Sequence, residues 1–177
     1  MLNDFHDYWK CYGGSNAVIK SSYFWIAVLI TAISYNTWLS SGWYTLFLGT
    51  FPSLLGFSLS GYAIWLTLGD KKLKEILIKK KVNHVSAFLV INASFIHFII
   101  LQVLAFIGLF TLHTNSIAHL VKIINLKSCN LLYNLYLFGV TTFNLFIFFL
   151  CIYSILSMLA AIFGLFNIAK AMDKLQN

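Results

Sequence analysis

Few residues in this chain have the types and spacings that chemistry would need. Gly56-Phe57-Ser58-Leu59-Ser60 begins like a nucleophile elbow, Gly-x-Ser-x-Gly, in which a tight turn lifts a serine hydroxyl out for attack, but it ends in Ser. His97 could act as the base for Ser58 in an intramembrane serine–histidine dyad, yet no oxyanion donor stands out beside them. His113, His119 and Cys129 are the candidates for an external metal site, and their spacings of six and ten residues match no structural zinc pattern. The three cysteines, Cys11, Cys129 and Cys151, are too few for a disulfide framework. No Asp, Glu or Lys falls inside an apolar block, so a carboxylate relay or a charged transport site is missing. The expectation is a protein that is not an enzyme and takes no metal or cofactor.

The elements that carry these residues follow from composition. Of 177 residues, 60% are apolar and 10% charged, against roughly 45–50% and about 25% in soluble domains. The apolar residues fall in blocks separated by short polar stretches, the layout of a multi-span membrane protein. The reading is a single all-α integral membrane domain, 1–177, with four transmembrane helices at about 21–39, 44–68, 85–112 and 143–166, a loop at 70–84 and an outer segment at 113–142. Ala32-Ile33-Ser34 imitates a signal-peptide cleavage site, but Asp4 and Asp7 precede it without a basic start, so a retained span is expected. Pro52 near one end of the second span predicts a kink. From Ser128 to Ala169 there is no charge for 42 residues, about twice what a helix needs to cross ~30 Å of hydrocarbon. One span at 143–166 is expected there, with 131–142 at the outer interface and Tyr133 and Tyr136 in the aromatic belt; a single long helix is the alternative.

All twelve basic residues are Lys, which removes bidentate guanidinium recognition of phosphate or carboxylate. The net charge of +7 borders the spans rather than covering a soluble domain, so membrane orientation accounts for it and direct nucleic-acid binding is not expected. With four spans, ten lysines fall on the side of the termini and two, Lys122 and Lys127, on the other. The lysine-rich side is cytoplasmic by that partition, in a bacterial inner membrane, and all five acidic residues share it.

Two amphipathic pieces lie on that side. Phe5, Tyr8, Trp9 and Tyr12 recur at helical spacing, with Asn3 placed to cap and Gly13-Gly14 to stop a short helix. Their face reads as an interfacial anchor or as a docking surface for a cytoplasmic protein partner. In the second piece Leu73, Ile76 and Leu77 line one face, surrounded by Lys71, Lys72, Lys74, Lys79, Lys80 and Lys81, with Asp70 placed as N-cap and Glu75 in register with Lys79. This is a basic helix suited to anionic lipid or a partner. Outside, Ile117, Leu120, Val121 and Ile124 predict a third interfacial helix.

The most specific pattern is in the second span, where Gly49, Ser53, Gly56, Ser60, Ala63 and Thr67 follow at spacings of 4, 3, 4, 3 and 4. Small residues let helices approach closely in lipid, and the heptad-like alternation of fours and threes favours a left-handed crossing. A shorter counterpart in the fourth span is Ser154, Ser157, Ala161 and Gly164. The two seams are expected to face each other within one chain; a homo-oligomer interface and a hydroxyl-lined pore are the alternatives. Asn92, His97 and Gln102 in the third span read as polar interhelical contacts, or as a proton-sensitive gate.

The segment Pro52-Ser53-Leu54-Leu55-Gly56-Phe57-Ser58-Leu59-Ser60-Gly61-Tyr62-Ala63-Ile64 resembles one seen in small four-span bacterial inner-membrane proteins of antiphage defence systems; membrane subunits such as that of Kiwa are similar in size and span number. The resemblance covers thirteen residues and rests on a packing pattern. It implies an oligomeric membrane sensor or anchor that works with a cytoplasmic partner. Two other classes fit the same layout: a pore-forming effector or small channel lined by the second span, and a bacteriocin immunity protein of this size and lysine-rich design.

Overall fold

A computed structural model describes residues 2–68, 71–82, 84–114 and 130–176. In chain order these form α1 (Leu2–Tyr12), α2 (Gly14–Lys20), α3 (Ser22–Ile33), α4 (Tyr35–Leu39), α5 (Tyr44–Leu68), α6 (Lys71–Lys79), a hairpin of β1 (Lys81–Val82) and β2 (Val85–Ser86), α7 (Ala87–His113) and α8 (Asn130–Gln176). Three helices, within Tyr44–Thr67, Ala87–His113 and Leu131–Lys170, are long and apolar enough to cross a membrane; a fourth crossing results if the bent pair α2–α3 counts as one span. The chain is therefore an all-α membrane protein. Residues 115–129, which hold the expected outer helix with His119 and Cys129, lie outside the described residues, as does the Asp70 cap.

Where the chain breaks, polar groups close the breaks. Gly13 and Gly14 adopt φ of 104° and 65°, the left-handed conformation that ends α1 at the expected point. At Ser21 the axis turns by 60° between α2 and α3, and Trp25 Nε1 donates to the Ile19 carbonyl across that bend (2.8 Å). The expected span at 21–39 is thus two helices, α3 and α4, parted at Ser34. Trp38 Nε1 donates to the Thr31 carbonyl there (3.0 Å), satisfying an acceptor at the end of α3. α5 takes the expected bounds and contains Pro52 without interruption. The hairpin pairs Lys81 with Ser86 and Val82 with Val85; Ser86 then caps α7 by accepting from the Leu89 amide (3.3 Å).

The expected interfacial segment at 131–142 is instead the first part of α8, an unbroken helix of 47 residues and roughly 70 Å. With no proline, and with hydrogen bonds that an apolar setting makes obligatory, nothing there ends the helix. Its first turns carry exposed Leu131, Leu135 and Phe138.

α7 is the central helix. It packs on α8, α5 and α1, while α3 and α4 rest on α8. One core joins Trp38, Trp43, Phe51, Ala105, Leu109, Ile147, Phe148 and Cys151; a second joins Phe95, Phe98 and Ala161 with Tyr62 and Trp65 against them. α5 meets α7 through its aromatic face, not through its small residues. Gly49, Ser53, Gly56, Ser60, Ala63 and Thr67 are exposed on the other side, and a Cβ added at Gly49 or Gly56 would meet nothing within 4 Å. The within-chain pairing of the two seams is therefore corrected. Without a hydrophobic drive in lipid, the face that offers most van der Waals contact wins, and rings offer more than methyls and hydroxyls. In the second seam Ser154, Ser157 and Ala161 are buried, whereas Gly164 stands open.

The close approach lies elsewhere, at Gly108, where an added methyl would collide with the Ile147 side chain of α8. Gly108→Ala should lower the thermal unfolding midpoint in detergent, at a cost of roughly 1–3 kcal/mol from overpacking. Gly49→Ala should be neutral. An undisturbed midpoint in Gly108→Ala would contradict this packing.

Candidate functional site

The three polar residues of the third span are all buried, and they meet different fates. Gln102, at 0% exposure, lies at a junction of three helices, where its Nε2 and the Ser58 hydroxyl of α5 both approach Met158 Sδ of α8, at 3.9 and 3.8 Å. A thioether is a weak acceptor, and Gln102 Oε1 has no partner. Asn92 turns back on its own helix, with Nδ2 donating to the Phe88 carbonyl (2.7 Å) and Oδ1 left without a partner. His97 is the best satisfied. Its Nδ1 is 2.7 Å from Tyr8 Oη of α1 and its Nε2 is 3.3 Å from Tyr153 Oη of α8.

A neutral imidazole has one donor and one acceptor, and a phenol can serve as either, so two tyrosines match it in both tautomers. Tyr12 completes the cage by stacking on the imidazole, with centroids 3.9 Å apart and planes 18° from parallel. The helical spacing of Tyr8 and Tyr12 places both rings on one side of α1, and the glycine stop after Tyr12 lets α2 turn away. Beside the cage is a chamber of about 80 Å³ lined by Tyr12, Ser21, Ser94, His97, Ser157, Ala160 and Ala161. It is polar and large enough to hold a few water molecules. Ser94 and Ser157 donate to carbonyls of their own helices, Val90 and Tyr153.

This arrangement corrects the docking surface expected on α1. Tyr8, Trp9 and Tyr12 turn toward His97 rather than outward, because a buried imidazole without partners would be costly and phenols can reach it. Phe5 alone of the four is exposed, at 54%. The basic helix is corrected in one place: Lys74 Nζ donates to the Leu66 carbonyl (2.7 Å), closing the last turn of α5. Lys79, Lys80 and Lys81 are exposed; the side chains of Lys71 and Lys72 lie outside the described residues.

Ser58 and His97 do not pair. They bond different partners, so the serine–histidine dyad is not assembled. Among the described residues no three His, Cys, Asp or Glu could share a metal ion. Two features went unread in the sequence. One is Tyr153, a phenol within a charge-free run, whose hydroxyl had to find a partner. The other is Trp43, whose Nε1 donates to Asn144 Oδ1 (2.9 Å) at the opposite end of the bundle. Against known proteins, the chain matches no family model, no curated protein and no solved structure.

Tyr8 belongs to α1, outside the spans. Burial, with Tyr153 nearby as a lesser cause, raises its phenol from 10.0 to about 12, and burial raises Tyr12 as well. A phenol whose pKa is raised on docking keeps that contribution fully below its free value. The contribution is lost as pH rises from 10 through about 12. Tyr8→Phe should cost roughly 1–3 kcal/mol by leaving an imidazole nitrogen unpaired. In a tyrosinate difference titration it should remove a step near 12. A step removed at the ordinary phenol value would contradict the contact.

Proposed function

We propose that the chain is a non-enzymatic, oligomeric membrane component, a sensor or anchor of a bacterial antiphage system that acts with a cytoplasmic partner. The observation that carries self-association is the open face of α5. Six small residues, Gly49, Ser53, Gly56, Ser60, Ala63 and Thr67, run along the side of a span that α7 leaves uncovered. In lipid such a stripe lets a second helix approach closely, while a lone chain gains nothing from it. The intramembrane polar side chains support a structural role, since Ser58 of α5 and His97 and Gln102 of α7 all reach side chains of α8.

In this reading the bent pair α2–α3 is the first of four spans, and both termini and the 70–84 loop are cytoplasmic by the lysine partition. The partner would meet the basic helix α6 and its end, where Ile76 and Ile78 are exposed in sequence with Lys79, Lys80 and Lys81. That surface combines apolar area with charge and differs from a face built for anionic lipid alone. The antiphage setting comes from the resemblance of the 52–64 segment.

Two experiments test this reading. Gly56→Leu should dissociate the detergent-solubilised assembly to monomer, seen by light scattering, without lowering the unfolding midpoint; a monomeric wild type would refute self-association. Replacing Lys79, Lys80 and Lys81 together by Gln should abolish co-purification of the partner and protection against phage while membrane insertion persists. Full activity of that variant, together with Gly56-dependent conductance by purified protein in bilayers, would favour a channel.

A further inference from the structure

A groove of about 680 Å³ runs between α1 and the first turns of α7. Its two walls differ in chemistry. The α7 wall is largely apolar, built from Leu89, Ala93 and Ile96 with Val85 of β2 before them, while the α1 wall presents Asp4, Asp7 and Lys10, with His84 of the hairpin turn also lining it. Leu89 is 48% exposed, so the apolar side opens outward from the bundle. Among these residues lies Asn92, 7% exposed, whose Oδ1 has no hydrogen-bond partner. That oxygen is covered by the chain itself, so the acceptor the groove exposes is the Asp7 carboxylate.

From this combination we infer that the groove binds the headgroup of a phospholipid bearing a primary ammonium. The volume suits a small amphiphile. A primary ammonium carries three donors, and the α1 wall of the groove offers the exposed Asp7 carboxylate as their acceptor. The headgroup phosphate finds the Lys10 ammonium and the His84 ring on the same rim, so the lining pairs both charges of a zwitterion. The apolar α7 wall then receives the first methylenes of the acyl chains. Position agrees with this occupant: the groove lies where α7, long and apolar enough to span, begins, beside the amphipathic helix α1. An anionic lipid without an amine has no cation for Asp7, and its net charge would meet the carboxylates of α1.

The test uses the full chain in detergent micelles, with lipid adducts counted by native mass spectrometry. The probes are phosphatidylethanolamine, its N-trimethylated analogue phosphatidylcholine, and phosphatidylglycerol. Phosphatidylethanolamine should be retained about tenfold over phosphatidylcholine, whose quaternary nitrogen has no N–H to donate. Asp7→Asn, an exposed change on α1, should remove that preference. Leu89→Trp, which fills the apolar wall from an exposed position, should reduce retention of phosphatidylethanolamine. Soluble phosphoethanolamine should compete only weakly, since the acyl wall adds to affinity. Equal retention of the ethanolamine and choline lipids, a preference that survives Asp7→Asn, or complete displacement by phosphoethanolamine at equal concentration would each overturn the proposal.

Discussion

An imidazole buried in an apolar bundle needs a partner for each ring nitrogen, and His97 takes both from tyrosines that lie far away in sequence. Tyr153 approaches from α8, and Tyr8 is brought in by folding α1 back onto the bundle. Leaving His97 unpaired in an apolar bundle is costly, and that cost holds the amino-terminal helix in place. The 60° turn between α2 and α3 and the left-handed glycines after Tyr12 follow from the same need, because the chain must leave α1 sharply to enter α3. The lipid groove exists only because α1 is docked, since one of its walls is α1.

Two kinds of small-residue packing share this molecule, and they do different things. Gly108 and Ala105 let α7 and α8 approach within the chain, and an added methyl at Gly108 has nowhere to go. The longer α5 stripe, more regular in sequence, faces outward. Regularity along one helix reports that a face is smooth, and it carries no information about which helix will meet that face. The partner is chosen by the competing face, here the rings Phe47, Phe51, Tyr62 and Trp65.

The parts of the fold that were legible from residues were those governed by local rules. The bounds of α5 and the stop at Gly13-Gly14 follow from apolar blocks and backbone preference. Composition also located α7, though Val85 and Ser86 joined a hairpin instead. The break at Ser34 was not legible, because what stabilises it is an indole reaching back from Trp38. Nor was the continuity of α8, where the length of hydrocarbon argued for a stop that no residue imposes. At the site, Asn92, His97 and Gln102 could be singled out by polarity alone. Their partners could not, since Tyr8 and Met158 lie 89 and 56 positions from the residues they contact. The phenols of α1 read as an outward stripe because helical spacing gives a face but no direction.

The central claim is that His97 fastens α1 to the bundle, and amide hydrogen exchange of the protein in lipid nanodiscs tests it most directly. Replacing His97 by Leu removes both hydrogen bonds while keeping an apolar side chain in the core. The amides of residues 5–12 should be protected in the wild type and lose most of that protection in His97→Leu, while the cores of α7 and α8 stay protected. Equal protection of α1 in the two proteins would mean that the bilayer surface holds the helix and would contradict the account.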